Sequence, residues 1–227
     1  MTLRTHLGPI PDPLQFPPLI RRMVLESPLL SGAQLTALEE GDLHAVRLDA
    51  TFALNSTLEI GMDTLLASSE AAIANGAELL IVTDRAAGAA RLPIPSLLAV
   101  SGLHHHLLHK GLRARLSLIS ESGDARDTHA LAVLIGCGAN AVCPWLALES
   151  AIQLGLKENR GVTLEGHVTT RNFLKAAESG LLKIISKIGI GPVESYCGAQ
   201  LFESHGLSPR LCLQYFPDLP ALHGNVG

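Results

Sequence analysis

The stretch 113–149 constrains this chain more than any other. It reads as an apolar segment ending in Ser-Glu-Ser-Gly, a helical stretch bearing one histidine, then Ala-Asn-Ala-Val-Cys-Pro-Trp-Leu-Ala-Leu-Glu. That is strand, polar turn, helix, short buried strand and a second helix opened by proline, the cadence of a parallel α/β protein. In such folds reactive groups gather in loops beyond the carboxyl ends of the strands. The residues at those ends decide between an enzyme and a scaffold.

At 227 residues the chain can bury a large core in one α/β domain. Hydrophobic residues make up 47% and aromatics only 4%, so the interior is built mainly from Leu, Ile, Val and Ala, as in helix-covered parallel sheets. A net charge of -4 with scattered signs offers no field for nucleic acid or an anionic membrane. Neither a signal segment nor a run of ~18 uninterrupted apolar residues is present, so no membrane association is expected. Cys137, Cys143, Cys197 and Cys212 stand apart in apolar contexts without paired spacing. They read as reduced core residues of a cytoplasmic protein, and neither a structural zinc nor an iron–sulfur site is expected.

Prolines in Pro-Ile-Pro-Asp-Pro and Phe-Pro-Pro make residues 1–30 an extended arm. An α/β domain over 31–213 follows, then an irregular tail, 214–227, without periodicity. Within the domain, Ser31 caps a short helix and 44–52 alternates as a strand. Apolar spacing predicts a helix over 56–75, closed by Asn75-Gly76, and a strand over 77–83. Pro95 opens a helix to about His109, and 113–120 is the next strand. A helix over 125–136, a strand over 139–143 and a helix from Pro144 to about Lys157 come next. Thr163 caps a helix carrying Val168, Phe173 and Leu174. The apolar run 182–190 reads as a buried strand or tight run, and 192–205 as the last helix. About five parallel strand-helix units result, too few for the eight of a closed barrel, so the expected form is an incomplete barrel or an open sheet with covering helices.

Four groups of residues could carry chemistry. Asp84-Arg85 ends a strand, where Asp84 could serve as a base and Arg85 as an anion clamp; alternatively Arg85 pairs with Asp84 or caps a helix. Glu121-Ser122-Gly123-Asp124 ends the next strand, where backbone amides could hold a phosphate or carboxylate; the competing reading is a turn in which Ser122 or Asp124 caps the following helix. In His104-His105-His106 with His109, positions 105 and 109 share a helical face, yet no third ligand stands at a motif spacing, which favours packed or hydrogen-bonded histidines over a metal site. Lys187, preceding Gly189-Ile190-Gly191, is placed at a strand end as a ligand-binding cation, or pairs with Glu194 or Glu203. Nucleotide-binding loops and nucleophile elbows are absent, and no catalytic residue is assigned.

Seven ordered stretches resemble the central domain of the glutamate synthase large subunit. They are Glu26-Ser-Pro-Leu-Leu, Leu79-Leu-Ile-Val-Thr-Asp-Arg, Ile94-Pro-Ser-Leu-Leu-Ala-Val with its histidines, Ser117-Leu-Ile-Ser-Glu-Ser-Gly-Asp-Ala-Arg, Gly136-Cys-Gly-Ala-Asn-Ala-Val-Cys-Pro-Trp-Leu-Ala-Leu-Glu, Gly180-Leu-Leu-Lys-Ile-Ile-Ser-Lys-Ile-Gly-Ile and Ser195-Tyr-Cys-Gly-Ala-Gln-Leu-Phe-Glu. Trp145, Ile188 and Gly191 depart from the family pattern, as does the Pro-Asp-Leu-Pro-Ala-Leu-His-Gly segment after Phe216. The resemblance implies a domain standing between a cysteine amidotransferase, which releases ammonia from glutamine, and an FMN and iron–sulfur domain that uses it to convert 2-oxoglutarate to glutamate. It further implies a non-catalytic spacer that walls the ammonia passage, with FMN and the cluster belonging to partner domains and no cofactor in this chain. A split subunit or a remnant, open to homo-oligomerisation, would then be expected. The alternative is a small enzyme or nitrogen-metabolite-binding module with an anion site at Asp84, Arg85, Glu121 and Lys187.

Overall fold

A computed structural model describes residues 1–11, 14, 22–157, 164–199, 201–217 and 219–222. The chain opens with an antiparallel pair, β1 (Thr5–Leu7) and β2 (Met23–Leu25), followed by α1 (Gly32–Glu39). It continues with β3 (Ala45–Asp49), β4 (Thr51–Ala53), α2 (Leu58–Ala74), β5 (Leu79–Thr83), β6 (Arg91–Pro93) and α3 (Ser96–His109). A 3-10 turn at Arg113–Arg115 leads into β7 (Ser117–Glu121), α4 (Thr128–Gly136), β8 (Ala141–Cys143), α5 (Trp145–Leu156) and α6 (Gly166–Ile188). After a second 3-10 turn at Val193–Ser195 come β9 (Ser204–His205), α7 (Pro209–Tyr215) and β10 (Ala221–Leu222).

The central sheet has four parallel strands in the order β3-β5-β7-β8, the order of the sequence itself. A sheet wound without reversal puts its crossover helices on one side, as a barrel does and a doubly wound sheet does not. Accordingly α2, α3 and α4 contribute Met62, Leu65, Leu103, Leu107, Leu131 and Ile135 to one core with Leu80, Val82, Leu118 and Val142. The opposite face carries Leu79, Ile81, Ile119, Ala141 and Cys143. In a closed barrel that face would meet further strands; here Leu7 of β1, Leu30 just before α1, and Leu35 and Leu38 of α1 cover it together with Leu148 of α5. The architecture is an incomplete barrel of four strand-helix units.

Local chemistry explains the boundaries. Ser31 forms a capping box with Gln34 at the start of α1. Thr57 caps α2, Asp127 caps α4 and Gly189 ends α6 with φ +80°. No helix among the described residues is long and apolar enough to cross a membrane.

Four sequence expectations change. The 182–190 run is no strand: it completes α6, whose buried Ala177, Leu181 and Ile185 recur every four residues against α4. The expected cap Thr163 lies outside the described residues, and α6 starts after Glu165. Instead of a helix over 192–205, the described residues of that span form only the Val193–Ser195 turn and β9, with Gly198 at φ +71° interrupting a continued helix. The strand expected over 113–120 begins only at Ser117, because Arg113 is held in the preceding turn by its own hydrogen bonds.

Candidate functional site

Strand register assembles the site. Asp49, Thr83, Glu121 and Cys143 lie side by side at the carboxyl ends of the four strands, and Arg47 pairs with Ile81 one step earlier on the same face. Glu121, its side chain 2% exposed, accepts hydrogen bonds from Arg47 and from Arg85 Nε at 2.7 Å. Arg47 also donates to Glu39 at 2.8 Å through Nη2, and Arg85 to Glu149 at 3.1 Å through Nη1. Charge therefore alternates along Glu39, Arg47, Glu121, Arg85 and Glu149.

Burial works to raise the Glu121 pKa, but the Thr83 hydroxyl, Arg85 and Arg47 outweigh it and hold the carboxyl below its ordinary value. The same burial pushes the neighbouring Cys143 thiol up to about 12, which makes it a poor nucleophile.

Asp84 faces a different set of partners. Its Oδ2 accepts from the Gly123 amide at 2.7 Å and its Oδ1 from Trp145 Nε1 at 2.6 Å. A Cβ at Gly123 would lie 3.2 Å from both Asp84 Oδ2 and the Trp145 ring, so glycine is what lets this turn close on the carboxylate. Burial raises the Asp84 pKa, and the two hydrogen bonds only partly oppose it. The Arg85 guanidinium lies over the Trp145 ring, 4.5 Å from its centroid. Arg85 thus pairs with Glu121 and Glu149 rather than with Asp84. In the adjoining turn Ser122 Oγ accepts from the Ala125 amide at 3.0 Å, and Asp124 accepts from the Ser96 amide at 3.0 Å, capping α3. The Gly123 amide, on which an anion-cradle reading of this loop depended, is already occupied by Asp84.

Asp84, Arg85 and Glu121 therefore come together as the strand-end rule anticipated. Lys187 does not join them. It is exposed in the last turn of α6, and no salt bridge to it is present among the described residues. Glu194 pairs instead with His6 at 2.8 Å and Glu203 lies 4.0 Å from His205. Twelve residues of helix, about 18 Å of rise, separate Lys187 from Lys175 beside the strand tips. The histidines diverge: His106 bonds Glu70 at 2.7 Å, His109 is exposed, and burial, followed by Arg113 and His105, pushes the His104 pKa down to about 3. Among the described residues no group of three or more His, Cys, Asp or Glu is placed to hold a metal ion.

Sequence reasoning missed Arg47, Glu39, Glu149 and Trp145. Arg47 carried a usable signal, since alternation along β3 puts it on the same face as Ala45 and Asp49. A cleft of about 630 Å³ opens beside this network between α1, α5 and α6, bordered by Arg85, Trp145, Glu149, Arg171 and Lys175. The arrangement neutralises charge and fixes loops; its one raised carboxyl, Asp84, is already engaged on both oxygens.

Residues 1–208 match the family described as "Glutamate synthase central domain". The chain is 39% identical over 210 residues to the NADPH glutamate synthase large chain of Bacillus subtilis (strain 168), covering 91% of this chain and 14% of that one. It is 38% identical over 205 residues to ferredoxin-dependent glutamate synthase 2 of Synechocystis sp., with coverages of 84% and 13%. It is likewise 38% identical over 228 residues to the chloroplastic ferredoxin-dependent glutamate synthase of Oryza sativa subsp. japonica, with coverages of 93% and 14%. The chain thus spans only about one seventh of the relatives it matches. Among solved structures, two flavocytochrome b2 variants, one with sulfite and one with benzoylformate, superpose with TM-scores of 0.52 and 0.53 at 10% and 9% identity. They cover 75% and 74% of this chain and 38% and 37% of their own, a likeness of fold alone.

Proposed function

The chain belongs to the glutamate synthase central-domain family, and from that membership we propose that it serves glutamate biosynthesis as a connecting scaffold. It aligns a glutamine amidotransferase unit with an FMN unit, contributes wall to the ammonia passage between them, and performs no turnover of its own. The observation that carries this reading is the fate of the strand-tip charges. Glu121 is enclosed by two arginines, each arginine has a second carboxylate, and both Asp84 oxygens are taken. A general base or an anion clamp must face its ligand, whereas Glu121 and Asp84 are 3% and 6% exposed and each arginine is shared between two carboxylates. These residues instead lock the loops that a neighbouring unit would rest on.

FMN and the iron–sulfur cluster belong, in this reading, to the partner units. The strand-end residues do not fit a flavin phosphate, because the Gly123 amide is filled by Asp84 and Arg85 is doubly paired. Burial raises the thiols of Cys137 to about 11 and Cys143 to about 12, which disfavours the thiolates a cluster requires. Leu146, Leu154 and Leu156 expose apolar surface on α5, 39%, 67% and 51% exposed, which supports docking there. Without partners the same surface favours self-association.

The test is to titrate the purified chain with FMN while following flavin fluorescence, and then to mix it with the amidotransferase and FMN units of a relative. We expect no stoichiometric flavin uptake and a stable complex by light scattering. Tight FMN binding, or glutamate formation by the chain alone, overturns the proposal. A second reading, a nitrogen-metabolite module, is favoured by Arg171 and Lys175 bordering the cleft beside Arg85. It requires 2-oxoglutarate or glutamine to stabilise the chain, by about 2.7 kcal/mol at ~100 times the dissociation constant.

A further inference from the structure

At the amino-terminal end of the sheet, opposite the strand tips, a second cavity of about 350 Å³ opens between β1 and the two 3-10 turns. Arg113 lines it. Its Nε donates to His104 Nδ1 at 3.1 Å, Nη1 to the Leu116 carbonyl at 3.0 Å, and Nη2 to the Gly138 carbonyl and Asn140 Oδ1, each at 2.8 Å. All four acceptors are neutral, the imidazole included, since the His104 pKa is held down near 3. Among the described residues no carboxylate pairs with Arg113, whereas Arg47 and Arg85 at the other end each have two. A guanidinium withdrawn from water against neutral partners alone is uncompensated, and burial lowers its pKa.

Asn140 adds a second donor group. Its Oδ1 accepts from both the Leu118 amide at 2.8 Å and Arg113, which fixes the side-chain orientation. Its N–H₂ then has no partner among the described residues, and Asn140 lines the same cavity. One Nη1–H of Arg113 is likewise unspent. The carboxylate among the described lining residues, Glu194, is engaged by His6 at 2.8 Å and lies 3.8 Å from Arg22. Leu116, Ile135 and Val193 supply an apolar wall.

We infer that this cavity binds a small organic carboxylate, its anionic head against Arg113 and Asn140 and its aliphatic body against Leu116, Ile135 and Val193. The volume is that of a small-molecule pocket. A bare inorganic anion would leave the apolar wall unused, and an uncharged analogue would leave Arg113 uncompensated. The cavity lies at the opposite end of the sheet from Glu121, so its occupancy neither requires nor excludes the scaffold role.

The test titrates butyrate into the full isotope-labelled chain by NMR, with butyramide and inorganic phosphate as comparison probes. We expect saturable shifts of the Arg113 Nε–H and the Asn140 side-chain amide, with both comparison probes at least roughly tenfold weaker. Val193→Phe, which fills the cavity and leaves the hydrogen bonds of Arg113 in place, should abolish the response. Arg113→Lys, which keeps the charge and loses the fork, should weaken it. The wild-type titration decides the matter even where a variant fails to fold. Absence of saturation, an equal response to butyramide or phosphate, or shifts confined to Arg85 and Trp145 would each overturn the inference.

Discussion

Replacing Glu121 with glutamine removes one charge from the middle of a five-member chain of alternating charges while keeping the shape of the side chain. Removing one partner of a buried ion pair costs roughly 3–5 kcal/mol, because the other charge is left uncompensated. Here the stranded charges are Arg47 and Arg85, whose side chains are 38% and 40% exposed and which keep Glu39 and Glu149. Residual pairing and hydration bring the expected loss to about 2–3 kcal/mol at pH 7. At ~2–4 °C per kcal/mol for a chain of this length, Tm should fall by about 5–10 °C. The pH dependence supplies an independent check. The Glu121 carboxyl is held below its ordinary value of 4.5, so it binds protons less readily folded than unfolded. Its stabilisation is then complete above that value and is lost as pH falls through the depressed one. The gap between wild type and Glu121→Gln should be flat from neutral pH downward and close only in acid. Urea unfolding followed by Trp145 emission, across a pH series, measures it directly. A gap under about 0.5 kcal/mol at pH 7, the range of ordinary surface substitutions, or one that persists unchanged in acid, would refute the reasoning.

Gly138 has φ +117°, and a Cβ there would fall 2.3 Å from His104 Nδ1 and 2.7 Å from His104 Cβ. Gly138→Ala combines backbone strain with overpacking and should cost roughly 3 kcal/mol or more, read from the urea midpoint; a near-neutral result would mean that His104 is not held as described. Asp84→Asn can offer an acceptor to only one of two donors, the Gly123 amide or Trp145 Nε1, and should cost about 1–3 kcal/mol. Because burial raises the Asp84 pKa above 3.8, Trp145 emission should show a step with its midpoint above that value, absent in the variant. The sign is opposite to that of Glu121: stability linked to Asp84 declines as pH rises from the ordinary value through the raised one. A midpoint at or below 3.8 would contradict the assignment.

The strand-helix cadence, the Ser31 cap and the placement of Asp84, Arg85 and Glu121 at carboxyl strand ends were all legible from local pattern. Hydrophobic period, turn residues and proline positions act within a few neighbours along the chain. Where that local signal was ambiguous the reading failed. The continuous apolar run around Ile184-Ile185 resembles a buried strand as readily as a helix, and only the four-residue recurrence of Ala177, Leu181 and Ile185 against α4 settles it. Lys187 followed that misreading and lost its place at the site.

Which charges meet was a tertiary matter. Arg47 and Glu121 lie 74 positions apart, and their contact follows from the parallel register that aligns β3, β5 and β7. Among the described residues the same register leaves Arg113 at the opposite end without a carboxylate. Sequence by itself therefore determined the elements and their order, because propensity and periodicity are properties of short segments. Only the folded sheet decided which side chains neutralise one another and which stay unbalanced, because Coulombic partnership and burial depend on distances that no local pattern encodes.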